Sequence, residues 1–378
     1  MPRAVWTALG LGPGALALYF AFWPVPVDPV AWTPPPAPGY GGPFARNDRL
    51  AAMERLSLGA DHGPEAVALD AAGRIYTSTR EGRILRLRPD GSGAETYADT
   101  NGAPLGLHFD ASGTLIVADA MRGLLRITPD RRVTVLATEA DGTPIAYADD
   151  LDVARDGRIY FSDASTKFGA RQGGSTYSAS LLEIIEHRGN GRLLVWDPAT
   201  GKATTVLRGI HFANGVALAD DERYVLVSET GSYRVLRHWL SGPRGGQTEP
   251  LIENLPGFPD NVTRGLGGRF WVALISPRSG PVDSLATHPF LRKVLMRLPG
   301  ALLPQPASYG HALAFDATGK VVASLQDPSG AYRKISSALE TAHHLYIRQS
   351  RDARARPAPE GPPRTLIHSA ASCRRGCS

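Results

Sequence analysis

The sequence predicts an all-β fold, a six-bladed β-propeller, preceded by an N-terminal transmembrane helix. The first observation is a recurring phrase: small or acidic residues, a glycine, a basic residue, then an apolar run rich in Ile, Val, Tyr and Leu. Six units of about 40 to 60 residues are typical of a propeller, because one blade alone cannot bury both of its faces. The second observation is that no linker interrupts the middle of the chain, as two separate β domains would require. The propeller is therefore placed at residues 46–347.

The six units follow one another along the chain, and turns rich in Asp-Gly, Gly or Pro separate their β-prone runs. They lie at residues 71–87, 111–127, 155–165 with 190–201, 220–240, 267–275 with 292–298, and 317–335.

Residues 1–23 are interpreted as a signal anchor. After Arg3 the segment has no charge, and its length is close to the roughly 20 residues that span a bilayer as a helix. Aromatic side chains lie toward its ends, as they do at membrane interfaces: Trp6, Tyr19, Phe22 and Trp23. A signal peptide cleaved near residues 15–17 is the alternative, but the apolar run continues beyond that point. The interpretation places the propeller on the non-cytoplasmic side, in a periplasmic, luminal or extracellular compartment.

The segments that flank the propeller differ from it in composition. Residues 24–45 are interpreted as a semi-rigid linker, because residues 24–43 contain eight prolines. Residues 348–378 are interpreted as an Arg/Pro-rich disordered tail. Residues 346–378 hold seven arginines against one Asp and one Glu, which equals the net charge of +5 of the whole chain. The propeller therefore needs no basic surface, and a nucleic-acid partner is not expected.

Two insertions interrupt the repeat. Residues 173–188 show helical spacing, and residues 288–303 are apolar with basic residues between. Both could cover one face of the propeller, and the second could instead rest on a membrane surface. Ordinary packing of an amphipathic segment is the alternative for each.

The loops that enter the innermost strands of a propeller share one end of its channel, so polar residues in them are candidate site residues. Carboxylate and amide oxygens converging there would suit Ca²⁺, Mg²⁺ or Mn²⁺ better than zinc. Each residue also has a structural alternative, as a turn or cap residue or as a core histidine. The candidates are Glu65, His108, Asp149, Asp150, Asn214, Asp260, Asn261 and His311.

Residues 255–261, LPGFPDN, are the most distinctive of these loops. Two prolines and a glycine argue against helix and strand, so a stiff loop is expected. Such a loop would hold Asp260 and Asn261 in a fixed place at the start of the strand expected at residues 269–275.

Three long phrases resemble the strictosidine synthase-like family, which includes adipocyte plasma membrane-associated protein-like members. They are YADDLDVARDGRIYFSDASTKF, HFANGVALADDERYVLVSETGSYRVLRHWLSGP, and ENLPGFPDNV followed by GRFWVAL. The resemblance covers residues 58–347. It groups the chain with paraoxonases and with gluconolactonase/senescence-marker proteins, which are six-bladed propellers.

The resemblance implies a single divalent cation, usually calcium, on the propeller axis. The family's metal ligands match Glu65, Asn214, Asp260 and Asn261, and its Asn-Asp pair matches Asp149-Asp150. Asp149 thus stands where the family has Asn, which bears on metal preference. In plant strictosidine synthase the ligands are lost and the essential glutamate matches Ser336, with Lys334 at the place of a histidine. The chain therefore resembles the hydrolase branch.

The expected function is metal-dependent hydrolysis of esters or lactones. The cation would polarise the carbonyl, and Asp149, Asp260, His108 or His311 would activate water. No Gly-x-Ser-x-Gly motif supports a serine nucleophile. A propeller that binds a ligand or partner without catalysis is the alternative. Amine–aldehyde condensation of the strictosidine synthase type is the least favoured, because of Ser336.

Overall fold

The fold is an all-β propeller. The computed structural model describes residues 14–63, 65–303, 305–349 and the backbone of 364–369. These residues form six four-stranded antiparallel sheets and a two-stranded ribbon of Glu139–Ala140 and Thr143–Pro144. The prediction of an all-β propeller is confirmed.

Five sheets are built from consecutive strands, and the first strand of each is the innermost. Sheet 1 comprises Val67–Leu69, Ile75–Ser78, Arg83–Leu87 and Glu95–Asp99. Sheet 2 comprises Pro104–Phe109, Leu115–Asp119, Gly123–Ile127 and Val133–Ala137. Sheet 3 comprises Ala148–Val153, Ile159–Asp163, Gly191–Asp197 and Lys202–Ile210. Sheet 4 comprises Ala213–Leu218, Tyr224–Glu229, Arg234–Trp239 and Thr248–Ile252. Sheet 5 comprises Gly257–Arg264, Phe270–Pro277, Gly310–Phe315 and Val321–Asp327.

The remaining sheet, called the composite sheet, joins both ends of the chain. From the inside outward it contains Ile335–Glu340, His344–Gln349, Arg364–Ser369 and Glu54–Ser57. The expectation that residues 348–378 form a disordered tail is therefore wrong for Arg364–Ser369. An apolar pair within an Arg/Pro-rich context gives a weak local signal, and the strand forms because it has a partner on both edges.

The predicted positions of the last two repeat units along the chain are also wrong. Pro289–Leu295 is a helix, and Gly310–Phe315 is the third strand of sheet 5 and not the start of a new unit. The cause is the insertion between Phe270–Pro277 and Gly310–Phe315, which separates two strands that pair directly. The innermost strand of the last sheet is instead Ile335–Glu340.

Apolar side chains fill the space between neighbouring sheets, because an inner strand buries both of its faces. Ala213–Leu218, for example, is buried along its whole length. Leu56 and Tyr346 of the composite sheet pack with Ile75 of sheet 1, and Ala338 packs with Trp271 of sheet 5. The composite sheet thus contacts both the first and the fifth sheet.

Three helices and short 3-10 turns lie in the insertions. Thr176–Glu186 forms the helix expected within residues 173–188, and Ser175 caps it by accepting a hydrogen bond from Ser178 N. The second insertion contains Gly280–Ser284, Pro289–Leu295 and the 3-10 turn Gly300–Leu302.

Residues 23–44, here called the strap, lie against these insertions. They contain no helix or strand before the 3-10 turn Gly42–Phe44. Val30 N donates to Glu186 O at 2.9 Å and Trp32 N to Ala286 O at 3.2 Å. Val27 is 3% exposed. The proline-rich linker is therefore extended, as expected, but it is docked on the protein.

The predicted transmembrane segment, residues 1–23, is only partly described. Residues 14–22 are helical, and residues 1–13 lie outside the described residues. Within the described part of the chain, no helix is long and apolar enough to cross a membrane.

Candidate oxygen-rich site at the start of the inner strands

The inner strands of sheets 2 to 5 each have a β-bulge near their first residues. The register shifts between Pro104 and Leu107, Ala148 and Leu151, Ala213 and Val216, and Pro259 and Val262. Bulges re-aim side chains and are frequent beside active sites. Five of the eight predicted site residues lie within these bulges: Asp149, Asp150, Asn214, Asp260 and Asn261. Glu65 precedes Val67–Leu69, the inner strand of sheet 1, whose register does not shift.

The prediction that residues 255–261 form a loop is wrong from Gly257 onward, because Gly257–Arg264 is the inner strand of sheet 5. Pro259 is tolerated because the register shifts on both of its sides, so its missing N–H falls at the bulge. Asp260 and Asn261 follow inside this bulge.

Two glycines let neighbouring inner strands approach each other at the bulges. A Cβ on Gly215 would lie 2.1 Å from Val262 N, and one on Gly106 would lie 2.7 Å from Asp150 Cα. Neither space accepts a side chain. The contact at Gly215 brings Asn214 beside the Asp260–Asn261 bulge.

Four carboxyl groups, those of Glu65, Asp149, Asp150 and Asp260, interact unfavourably at this end of the strands. Burial first, then the charges of Glu65 and Asp150, raise the pKa of Asp149 well above its usual value. Burial and the charges of Glu65 and Asp149 do the same to Asp260, although Asn214 donates a hydrogen bond that opposes the shift. A positive partner would remove this repulsion.

Two buried amide oxygens at the bulges have no hydrogen-bond partner. They are Oδ1 of Asn214 and Oδ1 of Asn261, in side chains that are 4% and 2% exposed. Leaving such an acceptor unpaired costs about 1–3 kcal/mol. Hard cations are bound through amide and carboxylate oxygens, so the donor types fit Ca²⁺, Mg²⁺ or Mn²⁺.

The carboxylates alone do not form a metal cluster. Over the described ranges, no three His, Cys, Asp or Glu side chains come close enough together to hold an ion. Asp150 in addition has a structural role, since its Oδ2 accepts from Val216 N at 3.0 Å. Any cation here would depend on the amide oxygens as well.

Glu65 lies before the inner strand of sheet 1 and is linked to the composite sheet. Its carbonyl oxygen accepts from Ser336 Oγ at 3.2 Å. Arg348 is fully buried, and burial lowers its pKa to about 9 while the charge of Glu65 opposes that shift. Arg348 was not among the predicted site residues, because the Arg-rich composition that follows it gives one buried arginine no distinguishing signal.

Tyr147 was also missed, although it directly precedes Ala148–Val153. Its hydroxyl donates to Thr176 O at 3.1 Å, so it joins the inner strand to the insertion helix. Burial and the charges of Asp149, Glu65 and Asp260 raise its pKa well above the usual value. It packs in an apolar cluster, here called the roof, that includes Val27, Leu105, Phe168, Phe212 and Met296.

The two histidines do not join the oxygen-rich bulges. His311 lies on the third strand of sheet 5, where its Nε2 contacts Ser324 Oγ at 3.0 Å, so it does not reach the axis. Its proposed place in an inner loop was wrong because the insertion shifted the repeat. His108 is on an inner strand but lies outside the bulge, which ends at Leu107. There its Nε2 is 3.1 Å from Asp152 Oδ1.

A cavity of about 450 Å³ lies elsewhere, between the strap and sheet 4. Trp32, His187, His211 and Arg234 line it, and none of the bulge residues does. The roof instead adjoins the oxygen-rich site, because Tyr147 belongs to the roof and its pKa is raised by the charges of Asp149, Glu65 and Asp260.

Comparison with known sequences identifies the family. The family model described as Strictosidine synthase-like, N-terminal matches residues 42–87, and that of Strictosidine synthase matches residues 149–243. An Arabidopsis thaliana protein, strictosidine synthase-like 10, is 36% identical and aligns over 77% of this chain and 84% of its own length. The chain belongs to the strictosidine synthase-like family. The Bos taurus adipocyte plasma membrane-associated protein is 33% identical over 88% of this chain and 84% of its own length.

Solved structures share the fold at low sequence identity. A gluconolactonase from Xanthomonas campestris superposes with a TM-score of 0.59 at 19% identity, covering 85% of this chain and 91% of its own. A regucalcin from Agrobacterium tumefaciens, described as calcium-binding, gives 0.58 at 15% identity, covering 83% and 93%. These similarities support the propeller fold.

Proposed function

We propose that the protein is a membrane-associated, metal-dependent hydrolase of esters or lactones. The observation that carries this proposal is the pair of unpartnered buried oxygens, on Asn214 and Asn261, beside mutually repelling carboxyl groups. We further propose that the composite sheet is the sixth blade and closes the ring.

One divalent cation, Ca²⁺ before Mg²⁺ or Mn²⁺, would be held by oxygens at the start of the inner strands. The ligands would come from the bulges and from Glu65: Glu65, Asp149, Asp150, Asn214, Asp260 and Asn261. When bound, such a cation supplies a Lewis acid that stabilises negative charge on a carbonyl oxygen. The structural neighbours named as a gluconolactonase and as a calcium-binding regucalcin support this choice of chemistry.

The chain's own groups would move the proton. Hydrolysis adds water to the carbonyl carbon, breaks its bond to the leaving oxygen and returns a proton to that oxygen. A carboxylate oxygen of Asp149 or Asp260 would accept the proton of water and later release it. Both groups are buried, so a positive charge nearby would be needed to keep them ionised.

The roof would select for substrates with an apolar part. Leu105 and Phe212 lie on or next to the inner strands, and Val27 of the strap packs with them. Apolar side chains directly above polar ligands exclude water and bind hydrocarbon. The substrate class that fits is an ester or lactone with an apolar chain or ring.

The membrane association is inferred from the sequence and the relatives. Residues 1–23 would form a signal anchor with the propeller on the non-cytoplasmic side. Two mammalian relatives are named adipocyte plasma membrane-associated protein, which supports this location.

The test is metal analysis of the purified protein together with aryl ester and lactone hydrolysis, with and without chelator. We expect one equivalent of divalent cation and activity that chelation abolishes and Ca²⁺ restores. Glu65→Gln should lose activity, whereas the exposed control Glu139→Gln should not. Activity indifferent to chelator and to Glu65→Gln would refute the metal mechanism. Tight cation binding without turnover would favour a binding propeller, and metal-free condensation of an amine with an aldehyde would favour the synthase reaction.

A further inference from the structure

Exposed apolar side chains are concentrated in two segments. Of the twelve large hydrophobic residues recorded as exposed in the described part of the chain, eight lie in residues 14–23 and 289–302. Phe22 is 76% exposed and Leu302 is 65% exposed. Single exposed apolar residues are ordinary, but a concentration of them marks an interaction surface. The eight are Leu16, Leu18, Tyr19, Phe22, Trp23, Phe290, Leu291 and Leu302.

Hydrogen bonds fix these two segments to each other. Arg297 Nε donates to Trp23 O at 2.6 Å, and its Nη1 donates to Phe20 O at 2.8 Å. Tyr19 OH donates in return to Arg297 O at 3.0 Å. Arg297 is 7% exposed, so these bonds are shielded from water. The N-terminal helix is therefore held against the second insertion.

The second insertion is oriented by a buried arginine. Arg292 donates to Ile185 O at 2.6 Å and to Ala286 O at 3.1 Å, which directs this side of Pro289–Leu295 toward the protein. Phe290 and Leu291 remain exposed. Met296, just after this helix, packs in the roof above the oxygen-rich site. The exposed side chains thus lie on the outside of the segment whose inside covers the site.

We propose that residues 289–302, together with residues 19–23 where the anchor leaves the bilayer, form a docking surface that lies on the lipid and turns the roof toward the membrane. The bilayer is favoured over a polar partner because the charged side chains of these two segments are buried or paired: Arg292 and Arg297 are 3% and 7% exposed, and Lys293 pairs with Asp28 at 2.9 Å. The anchor that precedes this surface, residues 1–18, carries one charged side chain, Arg3. Tyr19 and Trp23 are residue types that concentrate at bilayer interfaces. This inference rests on the proposed membrane association and identifies the surface through which the propeller contacts the bilayer.

The experiment places an environment-sensitive NBD label on the full-length chain, reconstituted in phosphatidylcholine vesicles. Single cysteines are introduced as Phe290→Cys and Leu302→Cys in a background of Cys373→Ser and Cys377→Ser. Ser112→Cys is the matched control, because Ser112 is exposed in the turn at the opposite end of an inner strand. Circular dichroism and thermal melts check that each variant is folded. Flotation reports whether the chain binds vesicles at all.

We expect labels at 290 and 302 to shift to the blue in vesicles and to be quenched by nitroxide lipid at least about twofold more than the label at 112. Chains that float while all three labels stay equally accessible to water would overturn the docking surface and leave the anchor intact. Chains that do not float would overturn both. A blue shift without vesicles that grows with protein concentration would identify a second copy as the occupant and overturn the bilayer proposal.

Discussion

The two ends of the inner strands carry similar polar side chains, but amide oxygens at one end lack hydrogen-bond partners, whereas a carboxylate at the other end has several. At the starting end, Asn214 Oδ1 and Asn261 Oδ1 are buried without partners and the carboxyl groups repel one another. About three residues farther on, Asp152 is fully satisfied. Its Oδ2 accepts from Leu218 N at 2.8 Å, and it contacts His108 at 3.1 Å and Arg264 at 3.3 Å. Buried polar groups in proteins are normally paired, so the unpaired end is the one available to a ligand.

The largest effect is expected from Asp260→Asn at the unpaired end. Removing one carboxylate should lower kcat/KM for ester or lactone hydrolysis roughly 100- to 1,000-fold, because in the proposed mechanism Asp260 helps to hold the cation that stabilises the oxyanion and is one of the two candidate proton acceptors. Steady-state kinetics with added Ca²⁺ is the measurement. Wild-type kinetics in Asp260→Asn would show that the unpaired end of the inner strands is not the catalytic site.

Glu229 is another buried carboxylate near the starting end of the inner strands. It tests whether a carboxylate is functional simply because it lies at that end. It pairs with Ala213 across the sheet. Burial raises the pKa of Glu229, but hydrogen bonds from His211 and Arg234 outweigh that effect and lower the pKa to about 2. A lowered pKa stabilises the fold above the unfolded value of 4.5, and this contribution is lost as the pH falls toward 2.

Glu229→Gln should therefore cost about 3 kcal/mol of unfolding free energy at neutral pH. The difference from wild type should vanish between about pH 4.5 and pH 2. Urea denaturation across that range measures it, with Glu139→Gln as the exposed control. A variant that matches wild type at pH 7 would show that this network contributes no stability.

Asp152→Asn examines the satisfied end. It should lower the unfolding free energy by about 1–3 kcal/mol, because the partly exposed Arg264 and His108 lose their charged partner. Per folded molecule, hydrolysis should fall far less than in Asp260→Asn. An equally large loss of activity would instead assign His108 and Asp152 a part in the chemistry.

The smallest effect is expected from Asp149→Asn, which introduces the amide that the family resemblance implies at this position. One negative charge fewer should weaken Ca²⁺ binding by about tenfold, since several oxygens remain. Calorimetric titration with Ca²⁺ gives the affinity, and kcat at saturating Ca²⁺, compared with that of Asp260→Asn, distinguishes the two candidate proton acceptors. Unchanged affinity would indicate that Asp149 is not a ligand.

The chemistry of the candidate site was foreseeable, but its backbone was not. Glu65, Asn214 and Asp260 were found from their recurring place before each apolar run. The bulges could not be predicted, because a proline such as Pro259 indicates the end of a strand unless the register of the neighbouring strand is known. His311 was misplaced because an insertion separates two directly paired strands, and Arg348 gave no local signal of burial.

By itself the sequence determined the all-β propeller, the helix at Thr176–Glu186 and the oxygen-bearing residue types of the candidate site. These depend on local periodicity and on side-chain chemistry, which are properties of short segments. The tertiary structure decided the pairing of Arg364–Ser369 with Glu54–Ser57, the docking of the strap, and which buried oxygens lack partners. Those features depend on contacts between residues that are far apart in the chain, and no short segment specifies them.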